Sequence, residues 1–140
     1  MEVLHTPGHT PEHISLLVTD KTRGPEPWFL LTGHTLMVGD VGRTELATAP
    51  EDGARQLFST IQRFKEFPDY LEILPGAYAG SVCGRALSGK AISTIGFERR
   101  FNRAFQISTV EEFVEFMLQS IPAPPPNATA VRALNQGRGA

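Results

Sequence analysis

The sequence has one cysteine, Cys83. That excludes an internal disulfide and a cysteine-rich zinc site. It has no excess of either charge. Thirteen Lys and Arg against fifteen Asp and Glu leave a formal charge of −2, without the electrostatic footprint of a nucleic-acid or anionic-membrane binder. No apolar run approaches the roughly 20 residues that a membrane-spanning helix needs. The opening Met1-Glu2-Val3-Leu4-His5 lacks the basic-then-apolar pattern of a secretory leader. Internal repeats are missing too. These absences leave a cytoplasmic globular protein as the expectation, and 140 residues suit one domain.

Turns and histidines are what the chain does have. Thirteen Gly and eleven Pro imply many fixed turns and argue against a simple helix bundle. All four histidines, His5, His9, His13 and His34, fall in the first quarter of the chain. Their clustering is the first mark of a site. His5, His9 and His13 are four apart, but Pro7, Gly8 and Pro11 forbid the helix that would align them. A histidine in a Pro-Gly turn after a strand sits on rigid backbone, which suits a metal ligand. His5 and His13 are read as bonding to neighbouring backbone.

Met1 to Leu4, Ile14 to Val18, Trp28 to Leu31 and Leu71 to Leu74 have strand length and composition, the first three as an antiparallel meander. Asp20 to Pro27 reads as a hairpin loop, and Gly39 to Arg43 as a Gly-rich loop. Thr48 with Glu51 predicts a capping box, with Pro50 in the first turn of a helix whose Ala54, Leu57, Phe58, Ile61 and Phe64 share a face. Ser108 with Glu111 predicts a second box, ahead of Val110, Phe113, Phe116 and Met117. Ile121 to Asn127 is a Pro-rich break. Ala128 to Asn135 reads as a short terminal helix, and the final Gly-Arg-Gly-Ala as a frayed end.

Thr6-Pro7-Gly8-His9-Thr10, Thr32-Gly33-His34-Thr35-Leu36, Gly42-Arg43-Thr44 and the stretch from Leu74-Pro75-Gly76 to Cys83-Gly84-Arg85 together resemble the metallo-β-lactamase superfamily. The likeness is to its persulfide dioxygenase and glyoxalase II-like branch. It implies an α/β fold, with residues 1–121 as the C-terminal half of a four-layer α/β/β/α sandwich and residues 122–140 as a Pro-rich break and short terminal helix or tail. The family's His-x-His-x-Asp-His motif, which belongs to the other half, has no counterpart here. On this resemblance His9 matches a metal-binding histidine, and His34 stands where the family has a metal-binding aspartate. Ala77 lies near where two-metal members carry a further histidine, which argues for one ion, iron or zinc, weakly held. A catalytic metal asks for about three protein ligands and an open position, and the resemblance supplies two.

The resemblance also places Arg43 near a substrate pocket, where a guanidinium suits the carboxylate of a glutathione-type thiol. The plain alternative is a loop arginine that meets Asp40 or Glu45. The stretch from Gly84 to Ala91 nearly matches a phosphate-binding loop, but Ala91 replaces the magnesium-binding Ser or Thr. Cys83 reads as a loop thiol, and Arg99, Arg100 and Arg103 as a solvated cluster paired with Glu98. The expected function is persulfide oxidation at a mononuclear iron, inactive in this half alone. Zinc-dependent thioester hydrolysis and a non-catalytic interaction module are the alternatives, and no catalytic residue is assigned. Ile14, Leu16, Val18, Phe29 and Leu31 are candidates either for an apolar sheet face needing cover, by the other half or by a homo-oligomer, or for the helix-facing layer.

Overall fold

The computed structural model describes residues 1–119, 121, 123 and 126–138. In chain order it contains β1 (Glu2–His5), β2 (Ile14–Val18), β3 (Phe29–Gly33), β4 (Leu36–Met37), β5 (Asp40–Val41) and α1 (Pro50–Phe64), followed by β6 (Glu72–Pro75) and β7 (Ser93–Thr94). Helices α2 (Ile95–Phe101), α3 (Arg103–Gln106), α4 (Val110–Leu118) and α5 (Ala128–Asn135) complete it. Five strands form one sheet in the order β1-β2-β3-β6-β7, and β4 pairs with β5 separately.

Strand direction fixes where a site can form. β2 is antiparallel to both β1 and β3, and β6 is parallel to β3. β1, β3 and β6 therefore run the same way, and their C-terminal loops emerge at one end of the sheet. Those loops carry His9, His34 and Cys83.

The sheet has two unlike faces. Leu17, Leu30 and Ile73 lie in register across three strands. Together with Leu4 they face a core built with Leu57, Ile61 and Phe64 of α1 and Phe113 and Met117 of α4. Val3, Leu16, Leu31 and Leu74 form the next row over, so their side chains point the other way. Ile14, Val18 and Phe29 share that second face. Val3 is 60% exposed and Ile14 49% exposed, and none of the seven belongs to the core cluster. Of the two layers open to Ile14, Leu16, Val18, Phe29 and Leu31, the register places all five on this second face and none on the helix-facing one.

Helix α1 is amphipathic, with Ala54, Leu57, Ile61 and Phe64 buried at helical spacing. Phe58 meets Phe113 of α4 with ring centroids 5.4 Å apart. The predicted caps are shifted. Thr48 does not cap α1: the N-cap is Ala49, without a side-chain bond, and Pro50 occupies the first helical position. A residue before proline is driven to extended backbone, and Ala49 has it (φ −57°, ψ 133°). Ser108 likewise yields to Thr109, whose side chain accepts the Glu112 N–H. The Gly-rich stretch is not simply a loop, because Gly39, at φ 86°, turns the β4–β5 hairpin. Helices α2 and α3 were not anticipated. The terminal helix forms as α5 but buries none of its side chains. The Pro-rich break and the final residues fall in part outside the described residues. Among the described residues, no helix is long and apolar enough to cross a membrane.

Candidate metal centre

The β1–β2 loop is pinned at several points. The Thr6 N–H donates to the His13 carbonyl (2.8 Å), and Thr60 on α1 donates to the Pro7 carbonyl (2.8 Å). Gly8 lies so close to α1 that a Cβ would fall 2.5 Å from that of Leu57. His9 is thereby buried at the sheet end. Its Nδ1–H donates to the Arg43 carbonyl (2.7 Å), so the ring's free lone pair is on Nε2. An imidazole held this way is oriented and has its tautomer fixed, as metal-binding histidines generally are. Burial keeps His9 neutral by lowering its pKa, although the Arg43 carbonyl opposes this.

His34 follows Gly33, which ends β3 at φ +53°. Its ring centroid is 5.1 Å from that of His9. His13 does not join them as a donor. It accepts the His34 N–H at Nε2 (3.2 Å), so the proton sits on Nδ1, beside the hydroxyls of Thr35 (2.8 Å) and Thr6 (2.9 Å). Burial, then the neighbouring His9 and His34, push its pKa down to about 4. A neutral His13 thus fixes the backbone of His34, a stronger role than the simple backbone bonding expected. His5 bonds the Pro11 carbonyl (2.7 Å) at the surface, as expected.

The third group was not anticipated. Cys83, read as an unremarkable loop thiol, offers a sulfur to the same point. One ligand atom each from His9, His34 and Cys83 all lie within 4.8 Å of one another. No local signal marks this, because it depends on a long-range clamp. The Asp40 carboxylate accepts the N–H groups of Arg85 and Ala86 and the Arg85 guanidinium (3.0 Å). Arg85 also stacks over Phe116, 4.2 Å from its centroid.

That clamp disposes of the phosphate-loop reading. Two of the N–H groups of that stretch, those of Arg85 and Ala86, are taken by Asp40, and residues 84–92 do not open a helix. Arg43 is paired with Glu45 and donates to the Val82 carbonyl (3.1 Å), the loop-arginine arrangement that was the plain alternative. Glu98 does not pair with the arginines. It is fully buried, accepting from Gly39 N–H (3.0 Å), Ser93 Oγ (2.6 Å) and Asn102 Nδ2 (2.8 Å). Arg99 pairs instead with Asp69, and Arg103 with Glu112.

The donor set of His9, His34 and Cys83 has the number of protein ligands that a catalytic metal takes. It departs from the two-histidine, one-carboxylate set of non-haem iron, since Asp40 and Glu45 are committed elsewhere.

No protein-family profile matches the chain. A hydroxyacylglutathione hydrolase of Glaesserella parasuis is 28% identical over 138 residues, covering 81% of this chain and 54% of that protein. Among solved structures, a metallo-β-lactamase from Staphylococcus aureus superposes with a TM-score of 0.85 and 41% identity, over 96% of this chain and 39% of its own. ETHE1 from Myxococcus xanthus gives 0.69 and 29%, over 98% and 53%. TTHA1623, solved in a di-iron-bound form, gives 0.50 and 27%, over 73% and 41%. The chain spans about half the length, or less, of each of them.

Proposed function

We propose that the chain, which shares part of the metallo-β-lactamase fold, is the portion of a metalloenzyme that holds one ion through His9 and His34. Residues 1–121 form that portion, and residues 122–140 a tail. Its substrate is a glutathione-type thiol, and the first reading of the reaction is persulfide oxidation at iron. The observation that carries the proposal is the convergence of the two rings, with His9 Nδ1 pinned by the Arg43 carbonyl. A bound ion would supply a Lewis-acid position for a thiol or for water. His9 and His34 hold it, His13 keeps His34 in place, and Arg43 meets the substrate carboxylate by exchanging Glu45. The open sheet face takes the rest of the fold, and without it the chain does not turn over substrate. A cytoplasmic setting goes with this reading, since a lone thiol is kept reduced there.

Zinc-dependent thioester hydrolysis is the second reading, favoured by the likeness to a hydroxyacylglutathione hydrolase. The test is complementation. The chain is mixed with a partner fragment bearing the His-x-His-x-Asp-His motif. Oxygen uptake with glutathione persulfide and hydrolysis of a glutathione thioester are then followed, with bound iron and zinc counted. Turnover is expected from the pair only, and His34→Asp should raise it only in the pair. Metal-dependent turnover by the lone chain, or none by the pair, would overturn the proposal.

A further inference from the structure

We propose that Cys83 is the third protein donor of this centre, so that the chain on its own assembles a two-histidine, one-thiolate site for zinc. The inference rests on the reading of His9 and His34 as ligands, but not on which reaction the completed enzyme performs.

Geometry comes first. The three donor atoms lie within 4.8 Å of one another. A tetrahedral zinc with bonds of about 2.0–2.1 Å to nitrogen and about 2.3 Å to sulfur holds its donors roughly 3.3–3.6 Å apart. Binding would draw the donors together by up to about 1.5 Å, within the reach of side-chain rotation.

Preorganisation comes second. Cys83 is anchored on both sides of its side chain. Its carbonyl accepts the Arg43 N–H (3.0 Å), and its own N–H donates to Ser81 Oγ (3.2 Å). The Arg43 carbonyl in turn holds His9 Nδ1–H. Residue 43 therefore ties the thiol's backbone to the imidazole's ring through its two peptide groups. The next residues, Arg85 and Ala86, are fastened to buried Asp40. A Cβ at Gly84 would fall 2.5 Å from Leu87 Cδ2, so a side chain there would require Leu87 to shift.

Donor chemistry comes third. Without a free carboxylate among these groups, the third ligand is sulfur. Thiolate with imidazole suits zinc better than the oxygen-rich surroundings preferred by harder ions. On binding, the Sγ–H proton passes to solvent as the metal–sulfur bond forms.

The experiment titrates the 140-residue chain with cobalt(II), a spectroscopic stand-in for zinc, with circular dichroism confirming that each variant is folded. The wild type should bind one cobalt, develop a near-ultraviolet sulfur-to-cobalt charge-transfer band, and lose it when zinc is added. Cys83→Ser should abolish the band and weaken zinc binding at least about tenfold. Zinc should protect Cys83 from iodoacetamide, and His9→Ala should remove that protection. Cobalt binding without the band, or unchanged zinc affinity in Cys83→Ser, would overturn the role of Cys83 while leaving the histidine site standing. No binding by the wild type, or binding indifferent to His9→Ala, would overturn both.

Discussion

Gly42 tests the site with a single carbon. A Cβ there would lie 2.1 Å from the His34 carbonyl oxygen and 3.0 Å from His9 Nδ1. Gly42→Ala should lower stability by about 1–3 kcal/mol in urea unfolding and weaken cobalt binding. Gly24→Ala, with nothing within 4 Å of the new atom, is the control that should do neither. His13 sets a pH dependence. Its pKa falls from 6.5 to about 4 on folding, so between those values the unfolded chain binds more protons than the folded one. The stability of the metal-free chain should be full above about pH 6.5, decline toward pH 4 and level off below. His13→Gln should shrink the decline, and His9, also lowered, should account for part of the remainder. An unchanged urea midpoint across that window would contradict this. At this scale the sequence was half legible. Two converging histidines could be read from ordered motifs, whereas Cys83 owes its place to an Asp40–Arg85 contact spanning 45 positions. Glu98 misled because it sits beside Arg99 and Arg100, yet its bonding partners include Gly39, 59 positions away.

Among the elements, the helix caps separate pattern from geometry. Both boxes had suitable residues, but Pro50 and the register of α4 decided which residue caps. Thr109→Ala should therefore cost about 1 kcal/mol in urea unfolding, and Thr48→Ala should fall within about 0.5 kcal/mol of wild type. The reverse order would show that Thr48 carries the helix start. Long amphipathic α1 was legible because its apolar positions repeat at 3.6 residues. Helices α2 and α3, of seven and four residues, are too short to show a period. Asn102 interrupts them, its side chain accepting the Ala104 N–H. The loop from 76 to 92 is held at Arg85 and Ala86 by one carboxylate. Asp40→Ala would leave the N–H groups of Arg85 and Ala86 without their acceptor. It should destabilise the chain by about 3–5 kcal/mol and speed alkylation of Cys83, read by mass spectrometry.

For the whole molecule, the sheet's second face dominates. Burying apolar surface contributes about 25 cal/mol per Å², so Val3, Ile14, Leu16, Leu31 and Leu74 drive association with whatever can cover them. The chain should self-associate at micromolar concentration in sedimentation experiments. Leu31→Glu should raise the monomer fraction without disturbing the core against α1. A monodisperse wild-type monomer would show that the face needs no cover. The parallel course of β1, β3 and β6 has a kinetic consequence. Donors at positions 9, 34 and 83 share no local segment, and β3 reaches β6 only by a crossover through α1. Closing a chain of about forty residues is entropically costly, and such pairings form late. A divalent ion thus finds no assembled ligand set until the sheet is complete. In a stopped-flow refolding trace, the cobalt–sulfur colour would act as a clock, appearing with the last strand pairing and leaving the rate of that step untouched.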